Sequence, residues 1–173
     1  MPPIFMEYNG QLSPSQTTEI LEQLGHNPVR KFGQNFLVDA NIVRKSLELA
    51  DVSDGDVVVE IGPGLGTLTG ALLERGAKVF AVELDRRLFG FLKQRFDGNG
   101  NLNLINADAV EFPLAALPEE VENFKIVANL PYAISTPWLE KESSRPFRYS
   151  SPKPTTSPRR TRFRQAVSIP APR

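Results

Sequence analysis

The chain has 173 residues, 40% of them apolar and 23% charged, which suits one globular domain with a real core and excludes a disordered or membranous chain. It has no cysteine, so disulfides and cysteine-ligated metals are excluded, and the lone His26, expected in a loop or on the surface, cannot build a metal site by itself. The formal charge of zero hides a split: residues 1–140 carry 11 Lys+Arg and 19 Asp+Glu, whereas residues 141–173 carry 9 Lys+Arg against the single Glu142.

The opening "MPPIFMEYNG" lacks the basic segment and apolar core of a secretory signal. No run in the chain approaches the ~20 apolar residues that span a bilayer. A soluble, cytoplasmic protein with no membrane partner is therefore expected. "SPSQTTEILEQL" (13–24) predicts a helix, with Ser13 as N-cap, Pro14 at the first helical position, and Ile20, Leu21 and Leu24 as its apolar stripe. "NPVRKFGQNFLVD" (27–39) is a loop too aromatic to be mere spacer. "DANIVRKSLELA" (39–50) predicts a second helix capped by Asp39, with Ile42, Val43 and Leu47 facing inward. From residue 55 strands and helices alternate. "DVVVEIG" (56–62) reads as a strand buried on both faces, 65–75 as a helix, and "KVFAVEL" (78–84) as a strand. "RRLFGFLKQRF" (86–96) is a helix, while "LNLINAD" (102–108) and "FKIVANL" (124–130) are the third and fourth strands. Such alternation predicts an α/β fold, a parallel sheet with helices on both faces. "SSPKPTTSPRRTRFR" and its neighbours (141–173) hold six Ser and six Pro, show no helical or alternating pattern, and read as disordered.

The first strand leaves through "GPGLG", with glycine at 62, 64 and 66. Glycine permits a tight turn and lets a ligand approach bare backbone, and the following helix start offers N–H donors to an anionic group. A plain strand–helix turn would use glycine in the same way. The spacing G-x-G-x-G places Thr67 where a dinucleotide fingerprint needs a third glycine, which disfavours NAD, and no Gly-Lys-Ser/Thr follows to make a phosphate loop. Glu83 closes the second strand, where a carboxylate can accept hydrogen bonds from both ribose hydroxyls of a nucleoside. Asp108 closes the third and could accept from an adenine amino group. Either alone reads as a solvated strand end. Three consecutive strands with such groups at one edge point to an adenosine-containing ligand.

The motifs "FGQNFLVD", "VVEIGPGLGTLT", "VFAVELD", "INADAVEF" and "VANLPYAISTP", in this order over about residues 27–140, resemble the ribosomal RNA adenine N6-dimethyltransferases that modify the small subunit. "GPGLG" and "NLPY" favour that branch over the related antibiotic-resistance methylases of large-subunit RNA. The resemblance implies a Rossmann-like methyltransferase fold and S-adenosyl-L-methionine as cofactor. It further implies dimethylation of two adjacent adenosines in a hairpin loop near the 3′ end of small-subunit RNA. By the same resemblance Asn35 and Leu37 touch the cofactor, Gly62 lies beside its methionine part, Glu83 binds the ribose, and Asp108 takes the adenine amino group. Asn129 sits where cofactor and target base meet. With Pro131 and Tyr132 it forms the expected catalytic set. An adenine N6 lone pair is delocalised into the ring, so the amine is a poor nucleophile. The Asn129 oxygen and a carbonyl near Leu130–Pro131 can accept both N6 hydrogens and direct the lone pair at the methyl group, while Tyr132 stacks on the flipped base. Ala133 stands where many relatives have a second Asn.

After "STPWLE" the chain departs from the family pattern. The expected organisation is an N-terminal helical extension (1–26), the N-terminal part of a Rossmann-like methyltransferase domain (27–140), and a basic Pro/Ser-rich tail (141–173). That tail reads either as an arm that touches nucleic acid or as the frame-shifted end of a truncated chain, and a chain that holds the cofactor-site motifs but is an incomplete, inactive form of the enzyme is expected. Only four strands are recognisable, so the sheet is expected to be incomplete, with the apolar edge of the fourth strand unpaired. The expected partner is small-subunit ribosomal RNA or the pre-ribosomal small subunit, met by a monomer. Arg30, Lys31, Arg44 and Lys45 are available to phosphate, although a merely solvated surface explains them as well. Two other functions stay open, a non-catalytic RNA-binding or ribosome-assembly protein on the same fold and a dinucleotide-dependent oxidoreductase.

Overall fold

The computed structural model describes residues 12–25, 40–128 and 165–167. The first element, α1 (Pro14–Gln23), starts as its sequence dictates. The Ser13 hydroxyl accepts from the Gln16 amide at 3.3 Å, the Gln16 side chain accepts from the Ser13 amide at 2.8 Å, and Pro14 fills the first turn. Two amides at the helix start are thereby satisfied. Ser13→Ala removes one partner, and the expected loss is about 1 kcal/mol of stability, read as a lower urea midpoint with an unchanged slope.

A second helix, α2 (Ala40–Leu49), precedes the strand–helix alternation: β1 (Val57–Ile61), α3 (Thr67–Glu74), β2 (Lys78–Glu83), α4 (Arg86–Arg95), β3 (Leu102–Asn106) and β4 (Lys125–Ala128). Asp39, the expected cap of α2, lies outside the described residues. A short β5 (Gln165–Val167) completes the sheet, whose strand order is β3-β2-β1-β4-β5 with every pairing parallel. β1 holds the middle. The chain steps from β1 to β2 to β3 in one direction, then returns to place β4 on the other flank of β1. Ligands of open α/β sheets bind at such a reversal, beyond the carboxyl ends of the strands.

The expectation of an unpaired outer edge on β4 is corrected by β5. Ile126, Val127 and Ala128 pair with Gln165, Ala166 and Val167, so part of the segment expected to be a disordered tail closes an edge that would otherwise expose backbone donors and acceptors. Three residues are too few to show alternation in the sequence. The remainder of 141–173 lies outside the described residues.

The two faces of the sheet are covered differently. On one, Val43 and Leu47 of α2 and Leu68 and Leu72 of α3 pack on Val58, Val79, Ala81 and Val127. α4 continues this layer through Leu88, Phe91 and Leu92, with Leu104 of β3, with Ile20 and Leu21 of α1 and with Leu12 just ahead of its cap, so the first helix joins the common core. Arg87 of α4 donates to the carbonyl of Gly25 at 2.7 Å and so ties down the end of α1. On the opposite face Val59, Ile61, Val82, Ile126 and Ala128 are covered by Leu114, Ala115, Leu117 and Phe124, from the turn-rich connection between β3 and β4. At the amino-terminal end of the sheet Lys125 pairs with Asp56 at 2.6 Å and is 19% exposed, which fixes β4 against the entry to β1.

Candidate functional site

Three described segments meet at the carboxyl end of the sheet. The first is the loop from β1 to α3. Gly62, Gly64 and Gly66 all lie in the left-handed region, at φ of 66°, 61° and 78°. The Gly62 amide donates to the Val82 carbonyl at 3.0 Å, which extends the β1–β2 pairing by one bond before the loop turns away. Gly66 occupies the N-cap of α3 and, having no side chain, caps nothing. Arg95 of α4 donates to the Leu65 carbonyl at 2.5 Å and holds the loop from behind. Burial lowers the pKa of Arg95 to about 10, with the nearby Glu74 carboxylate opposing the shift, so the guanidinium stays charged at neutral pH.

The second segment is the end of β2. Glu83 is buried, and its carboxylate accepts from the Gly64 amide at 3.1 Å through Oε2 and from the Asp85 amide at 2.9 Å through Oε1. Burial raises its pKa, the two amides counteract this, and the Asp85 charge adds to the rise. Leu84, next in the chain, is 61% exposed, so an apolar side chain sits bare beside this carboxylate. Asp85 in turn caps α4 by accepting from the amides of Arg87 and Leu88.

The third segment follows β3. The strand ends at Asn106 rather than at Asp108, which corrects the expected boundary. Asn106 is the register partner of Glu83 and donates its side-chain amide to the Glu83 carbonyl at 2.8 Å and the Leu84 carbonyl at 3.1 Å. Its short polar side chain satisfies the backbone of the neighbouring strand end and stops the ladder there. Asp108, two residues on, is exposed, and its Oδ1 accepts from the Val110 amide at 2.7 Å. The bond from the Ala107 amide to the Glu83 carbonyl at 3.2 Å keeps that turn beside β2.

Of the residues singled out in the sequence, the structure thus gathers Gly62, Glu83 and Asp108 at the ends of three adjacent strands. Asn35, Leu37, Asn129, Pro131 and Tyr132 lie outside the described residues; Asn129 follows directly on Ala128, the last residue of β4. Sequence reading passed over Leu84, Asn106 and Glu60. Glu60 carried a signal, being the one charged side chain inside the apolar run of β1. It is 1% exposed, and the Thr69 hydroxyl donates to its Oε2 at 2.7 Å. Burial raises its pKa to about 8; the Thr69 bond opposes the shift and the charge of Glu83 adds to it. Among the described residues no group of three His, Cys, Asp or Glu is placed to hold a metal, and no helix is long and apolar enough to cross a membrane.

The described strands thus present a parallel rim with a glycine turn and a buried carboxylate at its carboxyl end, and the chain can be compared with known proteins. The family model described as ribosomal RNA adenine dimethylase matches residues 25–149. The chain is 64% identical over 132 residues to ribosomal RNA small subunit methyltransferase A of Opitutus terrae, covering 75% of this chain and 48% of that protein. It is 44% identical over 135 residues to the protein of the same name from Moorella thermoacetica, covering 73% of this chain and 47% of that one. The chain therefore spans about half the length of these curated relatives. Among solved structures, the 23S rRNA methyltransferase ErmE shares 31% identity at a TM-score of 0.53, covering 62% of this chain and 42% of that one. A dimethyladenosine transferase from Plasmodium falciparum shares 34% identity at 0.51, covering 62% and 38%. The fold is the Rossmann-like fold of the S-adenosylmethionine-dependent methyltransferases, and the chain belongs to the ribosomal RNA adenine dimethylase family.

Proposed function

We propose that the sheet rim binds S-adenosylmethionine and that the chain carries the donor half of an adenine N6-dimethyltransferase acting on small-subunit ribosomal RNA. One observation supports this above the rest: a buried carboxylate, Glu83, lies at the end of β2 and is hydrogen-bonded to the amide of Gly64 in the adjoining glycine turn. The residues fit an adenosyl group. Glu83 has oxygens to accept ribose hydroxyls, exposed Leu84 offers an apolar surface to a purine ring, and Asp108 offers an acceptor for the exocyclic amine. When bound, S-adenosylmethionine supplies a methyl group on a sulfonium sulfur.

The chain's own residues then orient and desolvate. Gly62 and Gly64 let the amino-acid end of the ligand lie against bare backbone. Asn35 and Leu37, from the segment that precedes α2 in the sequence, complete the cofactor contacts. Asn129 and the carbonyl beside Pro131 accept the two N6 hydrogens of the target adenine, and Tyr132 stacks on its ring. No strong general base is required before transfer, because the proton leaves a nitrogen that has already become cationic. The substrate is a splayed single-stranded loop of ribosomal RNA, where bases can be turned out and read. The protein works as a cytoplasmic monomer on the pre-ribosomal small subunit.

The test is direct. S-adenosylmethionine is expected to raise the melting temperature of the chain, and incubation with unmethylated small subunits is expected to yield dimethyladenosine, lost in Asn129→Ala with donor affinity largely kept. Donor binding with no transfer would leave a non-catalytic RNA-binding protein, and stabilisation by NAD in place of S-adenosylmethionine would overturn the reading.

A further inference from the structure

Among the described residues Glu60 is the one buried charged group that the proposed chemistry does not use. It sits on β1 with its side chain on the helical face of the sheet, the face of Val58. Its register partners are Ala81 on β2 and Val127 on β4, both apolar. Two residues beyond Ala81 on the same face stands Glu83. Two carboxyl groups therefore lie under one glycine turn: Glu83 holds the turn itself through the Gly64 amide, and Glu60 holds the first turn of α3, into which it leads, through the Thr69 hydroxyl. Among the described residues the charged group acting on Glu60 is Glu83; Arg44, Lys45 and Glu48 of α2 and Glu74 of α3 are exposed.

We propose that Glu60 is a positioning residue of the donor site, kept protonated beside a charged Glu83, so that the pair carries one negative charge and the turn is clamped to β1 through Thr69. This rests on the reading of the rim as an adenosyl-donor site. A second charge under the turn would be buried with no cation acting on it among the described residues, and neighbouring like charges in a low-dielectric site resist joint ionisation. The neutral carboxyl has a second use. It offers Thr69 an acceptor without drawing the carboxylate of Glu83 away from the ligand's hydroxyls. The raised pKa of Glu60, about 8, agrees with this division of charge.

Glutamine copies a protonated carboxyl in shape, with one acceptor oxygen and one donor, but cannot ionise. The experiment compares the full chain with Glu60→Gln and Glu60→Ala, with S-adenosylhomocysteine as probe, by calorimetry from pH 6.5 to 9.5. Wild-type affinity is expected to hold to about pH 7.5 and then fall about tenfold by pH 9, as ionisation of Glu60 sets a second negative charge beside Glu83 under the turn. Glu60→Gln keeps the neutral-pH affinity and loses this alkaline limb, whereas Glu60→Ala is weaker at every pH. Parallel profiles in wild type and Glu60→Gln would overturn the proposal. If the probe binds at no pH, the donor reading fails, and the free protein still decides the charge state. The folded pKa exceeds the unfolded one, so stability is complete below about pH 4.5 and falls up to tenfold in the unfolding constant per pH unit until about pH 8. Glu60→Gln is expected to remove that share of the slope. Should the variants not fold, the carbon resonance of the wild-type Glu60 carboxyl gives the same answer: a midpoint above pH 7 supports the proposal, and one below pH 5 refutes it.

Discussion

Glu83→Ala is expected to abolish measurable donor binding while leaving a folded protein. Hydrogen bonds to a charged group contribute about 1.5–3 kcal/mol each, so losing two ribose contacts weakens affinity at least ~100-fold. The fold survives because the substitution also removes a carboxyl that burial already penalises. That relief offsets much of the loss of partners for the Gly64 and Asp85 amides. Glu83→Gln keeps the shape and one acceptor and is expected to fall between, at about a tenfold loss. Calorimetry with S-adenosylhomocysteine reads the affinity, and circular dichroism reads the fold. Retention of wild-type affinity by the alanine variant would remove Glu83 from the site.

Gly66→Ala is expected to be strongly destabilising. A Cβ at this position would lie 2.6 Å from Leu92 Cδ2 and 2.6 Å from Phe96 Cε2, at a φ of +78°. Leu92 is fully buried in the α1–α4 cluster, so it and Phe96 must both shift to admit the methyl group. The left-handed backbone costs an L-residue about 1–2 kcal/mol and overpacking about 1–3 more, a loss of about 2–5 kcal/mol against a total stability of only ~5–15. Gly70→Ala is the internal control. Its Cβ would meet only Phe96, at an ordinary 3.8 Å, inside α3, so it is expected to be neutral or slightly stabilising. Equal urea midpoints for the two variants would contradict this account of the turn.

Much of the frame could be read from local chemistry. Ser13 and Pro14 announced α1, the unbroken apolar run 57–61 announced a strand buried on both sides, and the alternation that follows announced a parallel sheet. These signals are legible because each lies within a few consecutive residues. Glu83 and the glycine turn were legible for the same reason, standing at the ends of recognisable strands. What escaped depends on partners distant in the chain. β5 has three residues and gains its meaning only from pairing with β4, some forty positions earlier. Asn106 read as one more residue of the third strand, and only the register with Glu83 shows that it secures the end of β2. Leu84 looked like the continuation of a strand, and its exposure is a fact of tertiary structure. The one-sided distribution of the described helices follows from the direction of successive strand crossings, which no local pattern encodes.

The order β3-β2-β1-β4 has a consequence for biosynthesis. Every described group assigned to the adenosyl donor lies between residues 57 and 108, contiguous in the chain and on strands that are neighbours in space. A growing polypeptide can therefore bring the turn and its carboxylates together before the acceptor strand has left the exit tunnel, with only short loops to close. Until β4 arrives, one flank of β1 stays open, and its arrival seals the central strand.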